Sequence, residues 1–208
     1  MIQVHDSLEV GLSALNIGSD AAARKKLRQY LALIAKWNKV HNLTAIRDPD
    51  RMLPEHLLDS LSILPHVHPS RILDVGSGAG LPGIPLAIVQ PSWDVTLLDS
   101  SHKRCVFLRQ ATIELGLANV DVVCQRIEEH RPARPFDTVV SRAFAETQHF
   151  ARLAISQIAD GGLLVAMKGL HPHEEIAQLP PQVALRDVVR IEVPGLGAQR
   201  HLVIMTKA

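Results

Sequence analysis

The chain has 208 residues, 47% of them hydrophobic and 21% charged, and a formal net charge of +1. That length and composition allow one domain with an extension around a sizeable core, and exclude a disordered chain. So small a charge excludes nucleic-acid attraction through the total, and no run of about eighteen apolar residues marks a membrane span. The opening residues, Met1 to Asp6, lack a basic-then-apolar secretory pattern, so a cytoplasmic location is expected.

Taken in order, the chain starts with Leu8, Leu12 and Leu15 at helical spacing, which predict a short helix before Gly18. Ser19 or Asp20 is placed to cap a second helix. Its stripe of Leu27, Tyr30, Leu31, Ile34 and Trp37 reads as core, with Arg24, Lys25, Arg28 and Lys36 largely off it. Residues 1–40 hold six basic side chains, those four with Lys26 and Lys39, against Asp6, Glu9 and Asp20. Such a face suits RNA phosphates, and equally an ordinary solvated helix. Asn38 to Arg47 reads as irregular. Asp48-Pro49 then reads as a cap and first-turn proline opening a helix through Leu57, Leu58, Leu61 and Leu64. Pro65 and Pro69 flank the linker that follows.

From Arg71 strands and helices alternate, as in a parallel sheet covered on both faces. Ile72, Leu73 and Val75 form a strand that breaks into Gly76, Gly78 and Gly80, with Pro82 in the first turn of the next helix. Strand, glycine loop and helix make the ligand-binding crossover of a doubly wound sheet. The second strand, Asp94 to Leu98, closes on Asp99, an acid placed to accept from both hydroxyls of a ribose. A helix near 101–116 follows, with Val106, Leu108, Ile113 and Leu115 as its apolar residues, then strands Val120–Cys124 and Phe136–Val140. A helix through Leu153, Ala154 and Ile158 leads to Gly161-Gly162 and a strand over Leu163–Met167. The tail runs 183–193 and 201–206 are too closely spaced to pair other than antiparallel. Cys105 and Cys124 read as buried free thiols. His66/His68 and His171/His173 have no completing carboxylate or cysteine cluster, so no metal is expected.

The frame of the glycine loop decides between cofactors. A dinucleotide loop starting at Gly76 needs glycine at position 81, where this chain has Leu81; the frame Gly78-x-Gly80-x-x-Gly83 begins two residues late. Asp74 followed by Gly-x-Gly-x-Gly resembles instead the first motif of S-adenosylmethionine-dependent methyltransferases. The fold class expected is α/β: a Rossmann-like class I methyltransferase sheet with a C-terminal antiparallel hairpin (66–208), carrying a small N-terminal helical extension (1–65).

Several further groups complete a pattern: Lys36-Trp37-Asn38, Asn42-Leu43-Thr44, Arg47-Asp48, His56, Leu58-Asp59-Ser60, Asp74 to Pro85, Leu97 to Ser100, Lys103-Arg104, Phe107-Leu108, Ser141-Arg142-Ala143, Lys168-Gly169 and Arg200-His201. Together they resemble the small-subunit ribosomal RNA guanine-N7 methyltransferases, also called glucose-inhibited division protein B, from about residue 30 onward. The resemblance implies S-adenosylmethionine as cofactor and N7 of one guanine in the 530 loop as target. It places cofactor contacts on Gly76 and Leu81, on the Ile127-Glu128 pair and on Arg142. Ser77, Gly78 and Gly80 complete the loop, and Asp99 takes the ribose.

The residue chemistry is compatible. Enzymes that methylate exocyclic base nitrogens carry Asn/Asp-Pro-Pro-Tyr/Phe after the fourth strand, and this chain has Ser141-Arg142-Ala143-Phe144. Guanine N7 bears a lone pair and no proton, so no general base is needed. Arg142 is the expected catalytic residue, with a hydrogen bond to guanine O6; Phe144 is expected to stack on the base. Lys168, Arg200 and His201 are further substrate-binding candidates. Asn42, His56 and Asp59 either serve the site or lock the N-terminal helices onto the sheet, the structural role being slightly favoured for Asp59. The partner expected is the ribosomal RNA or the 30S particle, with the enzyme a monomer. A methyltransferase of another substrate, an inactive nucleoside-binding module and a nicotinamide oxidoreductase are the rival readings.

Overall fold

The structure, a computed structural model, describes residues 3–68 and 70–208, without the side chains of residues 3–6. Pro69, the expected flank of the linker, lies outside the described residues. Helix α1 is Gln3–Ala14, with Leu8 and Leu12 buried, and α2 is Ala21–His41. Of the two candidate caps, Asp20 serves α2: its Oδ1 accepts from the Ala23 amide at 2.6 Å. Leu27, Tyr30 and Ile34 are fully buried, whereas Leu31 and Trp37 are half-buried against the same core.

The helix continues past the expected end at Asn38 to His41, and Asn42 closes it in the left-handed conformation at φ 48°. Asn38 points inward rather than to solvent. Its Oδ1 accepts from the Thr44 amide at 3.0 Å and its Nδ2 donates to the Ile46 carbonyl at 3.2 Å. One buried amide thereby folds the following loop back against the helix.

The helix predicted from Asp48-Pro49 has an interruption that periodicity did not show. It runs as α3 (Pro49–Met52), a π-helical turn (Leu53–Leu58) and α4 (Asp59–Leu61). Pro54 has no amide to donate to the preceding turn, which favours local departure from α-helical bonding. The Asp59 amide reaches back five residues to the Pro54 carbonyl. The path then tightens into a 3-10 turn, Leu64–His66.

Strands β1 (Arg71–Val75), β2 (Asp94–Asp99), β3 (Val120–Cys124), β4 (Phe136–Arg142), β5 (Ile158–Lys168), β6 (Val183–Ile191) and β7 (Arg200–Lys207) form one sheet in the order β3-β2-β1-β4-β5-β7-β6. The pairs within β3-β2-β1-β4-β5 are parallel, and β7 runs antiparallel between β5 and β6. Helices α5 (Gly83–Val89), α6 (His102–Leu115), α7 (Thr147–Ala154) and α8 (His173–Ile176) fill the connections. Pro82 precedes α5 rather than sitting in its first turn. On α6, Cys105, Phe107 and Leu108 point inward, while Val106 and Ile113 face solvent.

The expected helix through Ile158 is corrected. After α7 and a 3-10 turn, β5 already begins at Ile158 and passes through Gly161-Gly162. Its register against β4 shifts between Phe136 and Thr138. A Cβ on Gly162 would lie 3.0 Å from the Ala159 carbonyl and 3.1 Å from that of Asp137, so the bulge needs glycine there.

Successive strand residues separate onto the two faces of the sheet. Ile72, Leu97, Val140 and Ile204 join one buried cluster, and their neighbours Leu73, Leu98, Val139 and Val203 join the other. The first cluster also contains Leu8, Leu27, Tyr30 and Leu57, so α1 to α4 share one core with that face. The strand order reverses between β1 and β4, and the crevice beyond their C-terminal ends is the ligand position of such sheets.

Candidate active site

Two adjoining cavities open at that reversal. The larger, about 520 Å³, lies among the loop after α2, the π-helical turn, the glycine loop and the ends of β4, β5 and β7. The smaller, about 250 Å³, is bounded by the ends of β2 and β3 and by the segment after β4, including Asp99, Ile127, Glu128 and Phe144. Gly76, Arg104 and Ala143 line both.

The glycine loop is held by bonds from three elements. The Gly76 and Ser77 amides donate to the Leu98 carbonyl of β2 at 2.8 and 3.1 Å, and Ser77 Oγ donates to the Asp74 carbonyl at 2.8 Å. From α2, the buried Tyr30 hydroxyl donates to the Ala79 carbonyl at 2.5 Å. Gly76 has φ +68°, and a Cβ there would lie 2.5 Å from the Phe144 ring. Only glycine permits both the turn and the close approach.

Two carboxylates anchor this loop. Asp99, 4% exposed, accepts from the Gly78 amide at 2.9 Å and the Ser101 amide at 2.8 Å. Arg104 Nη1 also lies 3.4 Å from Oδ2, and with about four lone-pair sites on a carboxylate one acceptor position remains for a ribose hydroxyl. Asp74 is fully buried; its Oδ2 accepts from the Gly83 amide at 2.9 Å and its Oδ1 has no partner among the described residues. Burial raises its pKa to about 7, against the opposing pull of that amide and of Arg142.

The opposite wall is made of side chains from distant elements. Asp59, 3% exposed in its side chain, receives Arg142 Nη1 on Oδ2 at 2.9 Å and Arg200 Nε on Oδ1 at 2.7 Å. Arg142 Nη1 also donates to the Glu55 carbonyl at 2.8 Å. These contacts fix the guanidinium, and its Nε and Nη2 groups have no partner among the described residues. Lys168 is restrained by Glu175 at 2.7 Å and by the Ala145 carbonyl at 3.1 Å. His56 lines the same cavity; burial first, then the Arg142 charge, lowers its pKa to about 4, so its ring is neutral at pH 7.

The arrangement suits a nucleoside beside a chamber lined by Arg104, Arg142, Lys168 and Arg200, and comparison with known proteins identifies the class. Residues 23–203 match the model of the family described as rRNA small subunit methyltransferase G. The chain belongs to that family. The ribosomal RNA small subunit methyltransferase G of Laribacter hongkongensis is 52% identical over 97% of this chain and 98% of its own length. That of Nitrosospira multiformis is 51% identical over 95% of each. Among solved structures, coclaurine N-methyltransferase bound to N-methylheliamine and SAH gives a TM-score of 0.61 at 14% identity, covering 86% of this chain and 78% of that one, a likeness of fold. As a member of the family the chain is an enzyme, an S-adenosylmethionine-dependent methyltransferase of 16S ribosomal RNA.

The expected site residues fall into distinct places. Ser77, Gly78 and Leu81 line the larger cavity with Arg142, Lys168 and Arg200, while Asp99, Ile127 and Glu128 line the smaller. Gly80 lines neither; a Cβ there would lie 2.5 Å from Ile84 and 3.1 Å from Leu108, so its role is loop packing. Phe144, expected against the base, lies over Gly76 in the smaller cavity. His201 lies behind the wall, with Nδ1 3.1 Å from the Gly169 carbonyl. Asn42 accepts from Arg47 at 3.1 Å and does not line either cavity.

Thr44, Ala45, Ile46 and Met167 line the larger cavity without having been singled out for the site. Only the Asn42-Leu43-Thr44 resemblance hinted at that loop. Cys105 is buried as expected and Cys124 only half-buried; both are free, and burial with the neighbouring Cys124 thiol pushes Cys105 up to about 12. Among the described residues no group of His, Cys, Asp and Glu is arranged to hold a metal, and no helix is long and apolar enough to cross a membrane.

Proposed function

We propose that the enzyme methylates N7 of one guanine in the 530 loop of 16S ribosomal RNA. The observation that carries the reading is Arg142, fixed by Asp59 and the Glu55 carbonyl beside the glycine loop, with donor groups left free. S-adenosylmethionine, when bound, supplies a methyl group activated by its sulfonium. Gly76, Ser77, Gly78 and Leu81 are proposed to hold its amino-acid end, Asp99 its ribose, and Ile127 with Glu128 its adenine. Arg142 donates to guanine O6 and orients the base so that the N7 lone pair faces the methyl carbon. No proton has to leave N7, and among the described residues the carboxylates of the wall are paired, Asp59 with Arg142 and Arg200 and Glu55 with Arg51. Lys168 and Arg200 hold the base or its phosphates.

Exposed Lys25, Lys36 and Lys39 on α2 give the docking RNA a basic face. The proposed setting is a cytoplasmic monomer acting on the RNA or the 30S particle, with residues 1–65 as an extension of a methyltransferase domain over 66–208. The experiment is transfer of labelled methyl from S-adenosylmethionine to undermodified small subunits, followed by digestion to nucleosides. Label is expected in 7-methylguanosine at a single 530-loop position. Label in any other nucleoside overturns the assignment of the target atom.

A further inference from the structure

Within the larger cavity one buried ring holds neither Arg142 nor the glycine loop. His56 lines that cavity, is 1% exposed, and neither ring nitrogen meets full hydrogen-bond geometry among the described residues, the adjacent Glu55 backbone acting on the ring only enough to oppose part of its pKa drop. A buried polar ring without a partner is unfavourable and calls for a physical reason. Its location provides one. The π-helical turn that carries His56 also presents the Glu55 carbonyl to Arg142 and leads directly into Asp59. Single π-helical turns occur frequently at functional sites.

We propose that His56 is a specificity residue, its imidazole accepting a hydrogen bond from N1–H of the target guanine beside Arg142 at O6. The inference rests on the guanine-N7 reading above. Next to N7, guanine presents an acceptor, O6, and then a donor, N1–H. Adenine presents the reverse, an amino donor and then the N1 acceptor. Arg142 only donates and so selects O6, while a neutral imidazole offers one acceptor nitrogen, which selects N1–H. A cationic imidazole offers donors alone. Burial and the Arg142 charge keep the ring neutral against the Glu55 backbone and then the Glu55 and Asp59 carboxylates, which are themselves paired with Arg51 and with Arg142 and Arg200.

The test measures single-turnover methyl transfer, at saturating cofactor, to small-subunit particles reconstituted with guanine, 2,6-diaminopurine or 7-deazaguanine at the target position. Diaminopurine keeps N7 but lacks O6 and N1–H. His56→Leu is expected to slow transfer to guanine about tenfold to a hundredfold and to cut the preference over diaminopurine about tenfold, the remainder belonging to Arg142. Affinity for S-adenosylmethionine is expected to be unchanged and the unfolding midpoint equal or higher, because an unpaired polar ring has been removed. His56→Gln, which retains an acceptor, is expected to recover part of the preference. A wild-type rate and preference in His56→Leu overturns the proposal, as does a loss that follows reduced stability or cofactor affinity. His56→Ala serves the same comparison should the leucine variant not fold. Methylation of 7-deazaguanine by the wild type would defeat the N7 reading itself, separately from anything His56 shows.

Discussion

The two sides of the cleft are built on opposite plans. The cofactor side is mainly backbone from one continuous run, Asp74 to Gly83, tied down by β2 and by Tyr30. The base side is mainly side chains from separate elements: Glu55, His56 and Asp59 from the π-helical turn and α4, Arg142 from β4, and Arg200 from β7. A backbone cradle depends on a few torsions and close contacts. A side-chain wall depends on charges that hold one another, so a single deletion leaves buried groups unpaired. The difference predicts which substitutions damage folding, which damage cofactor binding, and which damage only the transfer.

The largest effect is expected at the centre of the side-chain wall. Asp59→Ala leaves Arg142 and Arg200 without their shared carboxylate, and loss of one partner from a buried pair costs about 3–5 kcal/mol. Denaturant unfolding measures it, and a change below 1 kcal/mol would show that the wall does not depend on that carboxylate.

Next comes the buried acid under the loop. The folded-state pKa of Asp74 is raised from 3.8 to about 7. Below pH about 4 both folded and unfolded chains hold the proton, and the group adds no difference. As pH rises toward 7, the unfolded chain releases it while the fold retains it, so stability relative to Asp74→Asn falls, by up to about 4 kcal/mol at 1.36 kcal/mol per unit. Unfolding midpoints of the cofactor-free proteins from pH 4 to pH 8 check the slope; parallel curves for the two proteins would contradict it.

Smaller again is the response of the cradle itself. Gly76→Ala forces a Cβ to within 2.5 Å of the Phe144 ring at a φ of +68°. S-adenosylmethionine affinity is expected to fall at least about thirtyfold, roughly 2 kcal/mol, as read by calorimetry. Tyr30→Phe removes one hydroxyl and leaves the Ala79 carbonyl without that donor. Its cost is about 1–2 kcal/mol, shared between stability and cofactor affinity. A change in neither would separate α2 from the loop.

The same contrast explains what the sequence revealed. Asp74 to Gly83 and Asp99 were legible because local turn chemistry and a characteristic spacing mark them. The parallel sheet was legible from alternation, and the antiparallel pairing of the last two strands from their close spacing. The π-helical turn was not, because Leu57, Leu58 and Leu61 fit a helix of ordinary periodicity, although Pro54, which cannot donate to the preceding turn, was a local sign of an interruption. Asp59 carried no local sign that its two oxygens would join strands 83 and 141 residues further along the chain. Asn38 misled for the same reason: a polar residue at a helix end reads as loop until its buried partners, Thr44 and Ile46, are placed. An aromatic after β4 suits stacking on the base, but nothing in the sequence showed that the Phe144 ring would lie over Gly76.

The central claim is that Arg142, held by Asp59 and Glu55, serves the base and its alignment with the methyl group. Single-turnover methyl transfer by Arg142→Ala to undermodified small subunits at saturating S-adenosylmethionine tests it most directly, with cofactor affinity measured in parallel. The expected result is a rate reduced at least about a hundredfold at saturating S-adenosylmethionine, beyond any loss of cofactor affinity from the contact that the family resemblance places on Arg142. A wild-type rate, or a defect that disappears once enough cofactor is added, would contradict it.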